Sequence, residues 1–219
     1  MPTCAIILSG CGRGDGSEIH ESVSILQHVC RLGGTYRCFA PDKAQQDVIN
    51  HLTGEAEGGS RNCLVESARI ARGEISPIAS CRVEDFDALM LPGGFGAAKN
   101  LCTFARDGEK MAVDAEVDRL VRGFHRAGKP IGLACIAPVI AARVLTGVAV
   151  TLGGEGDAPN AVRAWGSVHR VVGVHECVVD EGFKVATAPA YMYAEANAWQ
   201  VSVGIGKMVE QVFRLSAQG

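Results

Sequence analysis

Three short apolar runs in this chain stop at the same kind of place, a tight turn followed at once by helical spacing. Thr3 to Leu8 runs into Ser9-Gly10-Cys11-Gly12-Arg13-Gly14-Asp15-Gly16-Ser17, after which apolar residues recur at Ile19, Val23, Leu26 and Cys30. Ala88 to Leu91 runs into Pro92-Gly93-Gly94-Phe95-Gly96, and Pro130 to Ala134 runs into Cys135, with Ile136 to Leu145 reading as a helix. The first helix stops at Gly33-Gly34 and Thr35 to Ala40 reads as the next strand, which closes a βαβ unit. Strands alternating with helices commit a chain to a mostly parallel sheet covered on both faces. Such sheets bind ligands beyond the carboxyl ends of their strands, so the loops Ser9 to Ser17, Pro92 to Gly96 and Cys135 are where a site is expected.

The rest of the chain extends this pattern. Lys43 to Ser60 is polar, and Leu64, Val65, Ala68 and Ile70 suggest a short helix before Gly73. Val117, Leu120, Val121 and Phe124 mark a helix ended by Gly128, Val148 to Leu152 reads as a strand, and Gly153 to Asn160 as an open acidic loop. Glu176 to Asp180 and Lys184 to Ala188 flank Glu181-Gly182 as a hairpin. A terminal helix carries Met192, Ala196, Trp199, Val203, Met208, Val212 and Phe213. With 219 residues and 47% hydrophobic content, residues 1–219 fit one domain with one sizeable core.

Several function classes are excluded. A net charge of -3 provides no general positive field for nucleic acid. No apolar run approaches the roughly 20 residues that cross a bilayer, so no membrane association is expected. The nine cysteines are odd in number and scattered, which implies a reducing compartment; the default address is cytoplasmic, or mitochondrial if a presequence has been removed. There is no Cys-x-x-Cys pair, and His20-Glu21 lacks the second histidine of a zinc-protease helix, so no metal is expected. Neither Ser9 to Gly16 nor Gly204-Ile205-Gly206-Lys207 has the spacing of a nucleotide-phosphate loop, and no cofactor is expected.

Cys135, where a buried strand meets a helix, is the candidate nucleophile. A helix N-terminus beneath it favours thiolate and lowers the thiol pKa from about 8.5; the alternative is one more buried small hydrophobe. Glu18 begins the helix after the first glycine-rich turn and is a candidate proton carrier, or simply a first-turn acid favoured by the helix dipole. N–H groups at Gly93 or Gly94, with that of Ile136, would form an oxyanion hole or else a plain turn. Cys11 is a secondary thiol candidate. His169 and His175 follow the acidic loop within reach of a crevice, which makes His169 a further secondary candidate, although nothing in the sequence fixes either near Cys135. Asp15 and Glu21 read most simply as solvated.

The longer motifs carry a family resemblance. Ser9-Gly10-Cys11-Gly12, Asp15-Gly16-Ser17-Glu18-Ile19-His20-Glu21, Phe39-Ala40-Pro41-Asp42-Lys43, Asp47 to Glu55, Pro92 to Leu101, Cys135-Ile136-Ala137-Pro138 and Thr187 to Met192 together closely resemble the ElbB family. This is the enhancing lycopene biosynthesis, or isoprenoid biosynthesis, protein family of the PfpI-like, class I glutamine amidotransferase-like superfamily. The resemblance implies an α/β, flavodoxin-like three-layer sandwich with a mostly parallel central sheet, usually a homodimer. It places Cys135 at a nucleophile elbow with Glu18 as its acidic partner and Gly94 and Ile136 as oxyanion donors. It also implies a modest glutathione-independent glyoxalase activity, converting small dicarbonyls to hydroxy acids through a Cys135 hemithioacetal. The wider superfamily often follows the elbow cysteine with histidine, whereas Ile136 stands here, which argues against peptidase and glutaminase activity. Two other readings use the same residues: a thiol redox sensor, and a regulator with a vestigial site. The isoprenoid link rests on the family name; no residue pattern recognises a prenyl chain or a diphosphate.

Overall fold

The computed structural model describes residues 1–218. The first βαβ unit consists of β1 (Thr3–Ile7), α1 (Ile19–Arg31) and β2 (Thr35–Ala40). After it come α2 (Cys63–Ile70), β3 (Ile75–Pro77), β4 (Ala88–Leu91), the short α3 (Phe95–Lys99) and α4 (Phe104–Asp107), and α5 (Ala115–Arg126). Next are β5 (Ile131–Ala134), α6 (Pro138–Val144), β6 (Ala149–Val150), α7 (Asp157–Ala164) and β7 (Val168–His169). The hairpin β8 (Val178–Asp180) and β9 (Val185–Ala188) leads to α8 (Ala198–Ser216).

The main sheet has seven strands in the order β3-β2-β1-β4-β5-β9-β8, parallel except for the β8–β9 pair. Alternation along its strands builds the two halves of the core. Ala5 and Ile7 of β1 and Leu89 and Leu91 of β4 pack with α5, α6 and α7. Cys4 and Ile6 of β1 and Ala88 and Met90 of β4 pack with α1 and α8 on the opposite face. This period of two, with both faces covered, is why the strands read as continuous apolar runs. The expected flavodoxin-like sandwich is therefore observed. The chain winds out from β1 to β2 and β3, then returns to β4 on the other side of β1. That reversal opens a crevice at the carboxyl ends of β1 and β4, next to the end of β5.

Three local readings change. Gly153 to Asn160 is not an open loop throughout, because α7 starts at Asp157. Pro159 lies in its first turn, where a missing N–H costs no intrahelical bond. Met192 lies outside the terminal helix, in a tight turn at Ala190–Met192. The helix begins at Ala198, capped reciprocally by Asn197 and Gln200 with bonds of 3.0 and 2.9 Å. Val148 to Leu152 contributes only the short β6, which pairs with β7 in a separate two-stranded sheet. Gly204 and Gly206 have a packing role: a Cβ on Gly204 would lie 2.2 Å from the Val174 carbonyl oxygen, and one on Gly206 would lie 2.7 Å from the His28 ring.

Candidate active site

The two glycine-rich loops interlock. The N–H of Glu18 donates to the Gly93 carbonyl at 3.1 Å, that of Phe95 to Arg13 at 2.7 Å, and that of Gly96 to Gly16 at 2.8 Å. Asn100 ties the base of the first loop, its side-chain amide donating to the Ser9 and Asp15 carbonyls at 2.8 and 2.9 Å. Asp15 is buried rather than solvated, and its carboxylate accepts from the Ile49 N–H at 2.8 Å. The approach is so close that a Cβ on Gly94, whose φ is +88°, would lie 2.4 Å from the Glu18 nitrogen. The loops thus form a fixed frame around the end of β5.

Cys135 sits in that frame with φ 58°, a left-handed backbone that a non-glycine residue adopts at a cost of about 1–3 kcal/mol. Its N–H is held by the Ala188 carbonyl at the end of β9, at 2.9 Å. Strand pairing and the turn into α6 therefore impose the conformation that presents the sulfur, and the side chain is buried but lines a cavity. The N–H groups of Gly94 and Ile136 lie near the sulfur and favour its thiolate.

The carboxyl group beside that sulfur belongs to Glu21: a Cβ on Gly93 would meet both the Cys135 Cβ and a Glu21 oxygen. Glu21 is completely buried. One oxygen accepts from the Gly93 N–H at 2.9 Å and the other from the Tyr191 N–H at 3.2 Å. The Tyr191 donor is aimed by Ala190, a second non-glycine residue with positive φ, at 46°. Burial, then the neighbouring Glu18, push the Glu21 carboxyl up to about 7, against the backbone donors that lower it. Glu18 lies one turn earlier and lines the same cavity as Cys135, while its Oε2 caps α1 by accepting from the Glu21 N–H at 2.7 Å. The solvated reading of Glu21 is therefore corrected, and two acids rather than one stand at the thiol. A sequence signal existed: Glu21 lies four and eight residues before Ile25 and Val29, on the buried stripe of α1.

The expectation of a lowered thiol pKa is also corrected. Burial first, and the Glu21 carboxylate second, push the Cys135 thiol well above its ordinary value, and the Gly94 and Ile136 donors only partly oppose them. The free site therefore stores a thiol beside a carboxyl group that loses its proton near neutrality.

The remaining candidates lie elsewhere. Cys11 is half-buried, bridges to Ser17 and is absent from the cavity lining; burial raises its pKa. His169 on β7 is half-buried with its side chain covered, has Nδ1 4.0 Å from Glu155, and does not line the cavity. His175 is exposed. His20, by contrast, hydrogen-bonds through Nδ1 to the Tyr191 hydroxyl at 2.7 Å, and Tyr191 lines the cavity. Cys4, Cys38 and Cys63 behave as buried hydrophobes, with thiols pushed up to about 12. Among the described residues no group of three or more His, Cys, Asp or Glu side chains could hold a metal ion, and no helix is long and apolar enough to cross a membrane.

A mostly parallel sheet of this order, covered by helices on both faces, is the flavodoxin-like fold that DJ-1 superfamily proteins also adopt. The fold matches a DJ-1 superfamily protein of Salmonella typhimurium with a TM-score of 0.58 at 19% identity, over 100% of this chain and 90% of the other. Two nearer relatives fix the particular family. The human glutamine amidotransferase-like class 1 domain-containing protein 3, mitochondrial, is 49% identical over 224 residues, which span 98% of this chain and 83% of that protein. An isoprenoid biosynthesis protein with amidotransferase-like domain from Ehrlichia chaffeensis superposes with a TM-score of 0.91 at 37% identity, over 98% of this chain and 99% of the other. The chain belongs to this ElbB family of proteins with a glutamine amidotransferase-like class 1 domain. No family model matches it.

Proposed function

We propose that the protein is a glutathione-independent glyoxalase that converts 2-oxoaldehydes to 2-hydroxy acids at Cys135. The observation that carries this reading is the placement of Glu21 beside Cys135 across Gly93, a nucleophile next to a buried carboxyl group whose pKa of about 7 suits proton transfer in both directions. The sulfur adds to the aldehyde carbon while its proton passes to Glu21. The carbonyl π bond opens, and the new oxygen, held by the N–H groups of Gly94 and Ile136, takes that proton to give the hemithioacetal. Glu21 then removes the hydrogen of the former aldehyde carbon, and the electron pair moves toward the ketone oxygen to give an enediolate. The hydroxyl proton of the former aldehyde carbon passes to that oxygen and Glu21 returns its proton to the ketone carbon, which leaves a thioester. Water cleaves it, releasing the hydroxy acid and the thiol. One substrate carbon is oxidised and its neighbour reduced, so no external oxidant or cofactor enters. Glu18, on the cavity wall, serves the ketone oxygen.

Methylglyoxal consumption and lactate formation without glutathione test this reading. Lactate formed by the wild type and lost in both Cys135→Ala and Glu21→Gln supports it; lactate formed equally by Cys135→Ala contradicts it. A thiol sensor would show oxidation of Cys135 without turnover.

A second copy of the chain is the proposed partner. Val23 and the Trp199 indole, which is 74% exposed, face one shallow groove between α1 and the start of α8, an apolar patch suited to self-association. The cysteines, free among the described residues, support a reducing compartment, a property shared by the cytoplasmic address expected from sequence and the mitochondrial one in the human relative's name.

A further inference from the structure

The cavity over Cys135 is much larger than the smallest 2-oxoaldehyde requires. It measures about 360 Å³, whereas an apolar cavity of about 150 Å³ accommodates a whole benzene ring. Arg13, Glu18 and Tyr191 are the polar side chains of its lining. Elsewhere the wall is built by Phe95, Phe104, Ile136 and Met192, with Ala98 and Ala105 leaving the space open.

That apolar wall is held in place. Phe104, Ile136 and Met192 pack against the core. The Phe104 ring meets Trp165 edge-on with centroids 6.1 Å apart, and the Trp165 indole N–H is fixed on the Glu109 carbonyl at 2.9 Å. Arg13 and Glu18, the charged side chains of the lining, are opposite in sign and leave the cavity without a net field for an ionic substituent. A methyl group would leave most of this surface uncovered, and the binding energy of a remote apolar group is what such a site uses to position the reacting carbons.

We propose that the preferred substrates are uncharged 2-oxoaldehydes carrying an apolar group about the size of a phenyl ring on the ketone carbon, rather than methylglyoxal. This rests on the glyoxalase reading above and leaves its chemistry unchanged, since the substituent forms and breaks no bond.

The test compares kcat/KM for phenylglyoxal and methylglyoxal without glutathione, following mandelate and lactate. The wild type should favour phenylglyoxal by roughly tenfold or more, the discrimination an apolar pocket achieves for small differences in size. Ala105→Phe, at an exposed position that a larger side chain can occupy without disturbing the core, should bring that ratio toward one. Cys135-dependent turnover of methylglyoxal with phenylglyoxal equal or slower would overturn the size preference and leave the glyoxalase reading standing. Turnover of neither aldehyde would overturn both.

Discussion

Glu21 and Cys135 are a carboxyl and a thiol side by side in a buried frame: the carboxylate pushes the thiol pKa up, while the thiol pulls that of the carboxyl down against the larger effect of burial. Two left-handed residues, Cys135 and Ala190, hold the pair: one presents the sulfur and the other aims the Tyr191 N–H at the carboxyl. Backbone strain stored at both ends of one contact is characteristic of a site whose geometry has a chemical use.

The pair becomes reactive when it loses one proton, with Glu21 titrating near 7. kcat/KM for 2-oxoaldehydes should therefore rise as pH passes through about 7. In Glu21→Gln the inflection should disappear and kcat/KM should fall by roughly 10²–10⁴, the usual contribution of a positioned acid–base. A pH–rate series on both proteins checks this.

Stability should carry the same signature with the opposite benefit. Glu21 is raised from 4.5 to about 7, so between those values the folded state binds more protons than the unfolded chain. Stability from this group is then greatest below about 4.5, declines as pH rises through about 7 and levels off above it, a loss of about 3 kcal/mol in total. Urea unfolding at several pH values should show a wild-type slope in this window that Glu21→Gln lacks.

Gly93 is where the site tolerates least. A Cβ there would lie 2.4 Å from the Cys135 Cβ and 2.8 Å from the nearer Glu21 oxygen. Gly93→Ala should push the two groups apart and lower kcat/KM by roughly 10²-fold, the scale set by a misplacement of about 1 Å. Steady-state kinetics with a circular dichroism control for folding measures it.

Trp199 is the sensitive position for self-association. If the proposed pairing of two copies holds, Trp199→Glu, which places a charge on the exposed groove, should give monomer where the wild type sediments as a dimer, at a cost to folding stability of about 0.5 kcal/mol or less.

The strand-to-helix frame was legible because buried parallel strands are apolar on both faces and end in glycine turns that cannot be mistaken. Cys135 was legible for the same reason: it follows β5 directly. The helix at Asp157–Ala164 was not, since Gly153, Gly154, Gly156 and Pro159 resemble a loop unless Pro159 is placed in a first turn. Glu21 reads as solvated in sequence because a charged residue on an apolar stripe looks like surface until its hydrogen-bond donors appear, and those come from Gly93 and Tyr191, 72 and 170 residues away. The raised thiol pKa depends on the same distant burial, which outweighs the helix-end effect that local sequence suggests.

The most direct test of the central claim, a proton shared by Glu21 and Cys135, is the rate of Cys135 alkylation by iodoacetamide against pH, followed by peptide mass spectrometry in wild type and Glu21→Gln. The account predicts a wild-type rate that steps up near pH 7 and a variant without that step, reacting only as its thiol ionises at higher pH. Identical profiles with a single midpoint at the ordinary thiol value of about 8.5 would contradict it.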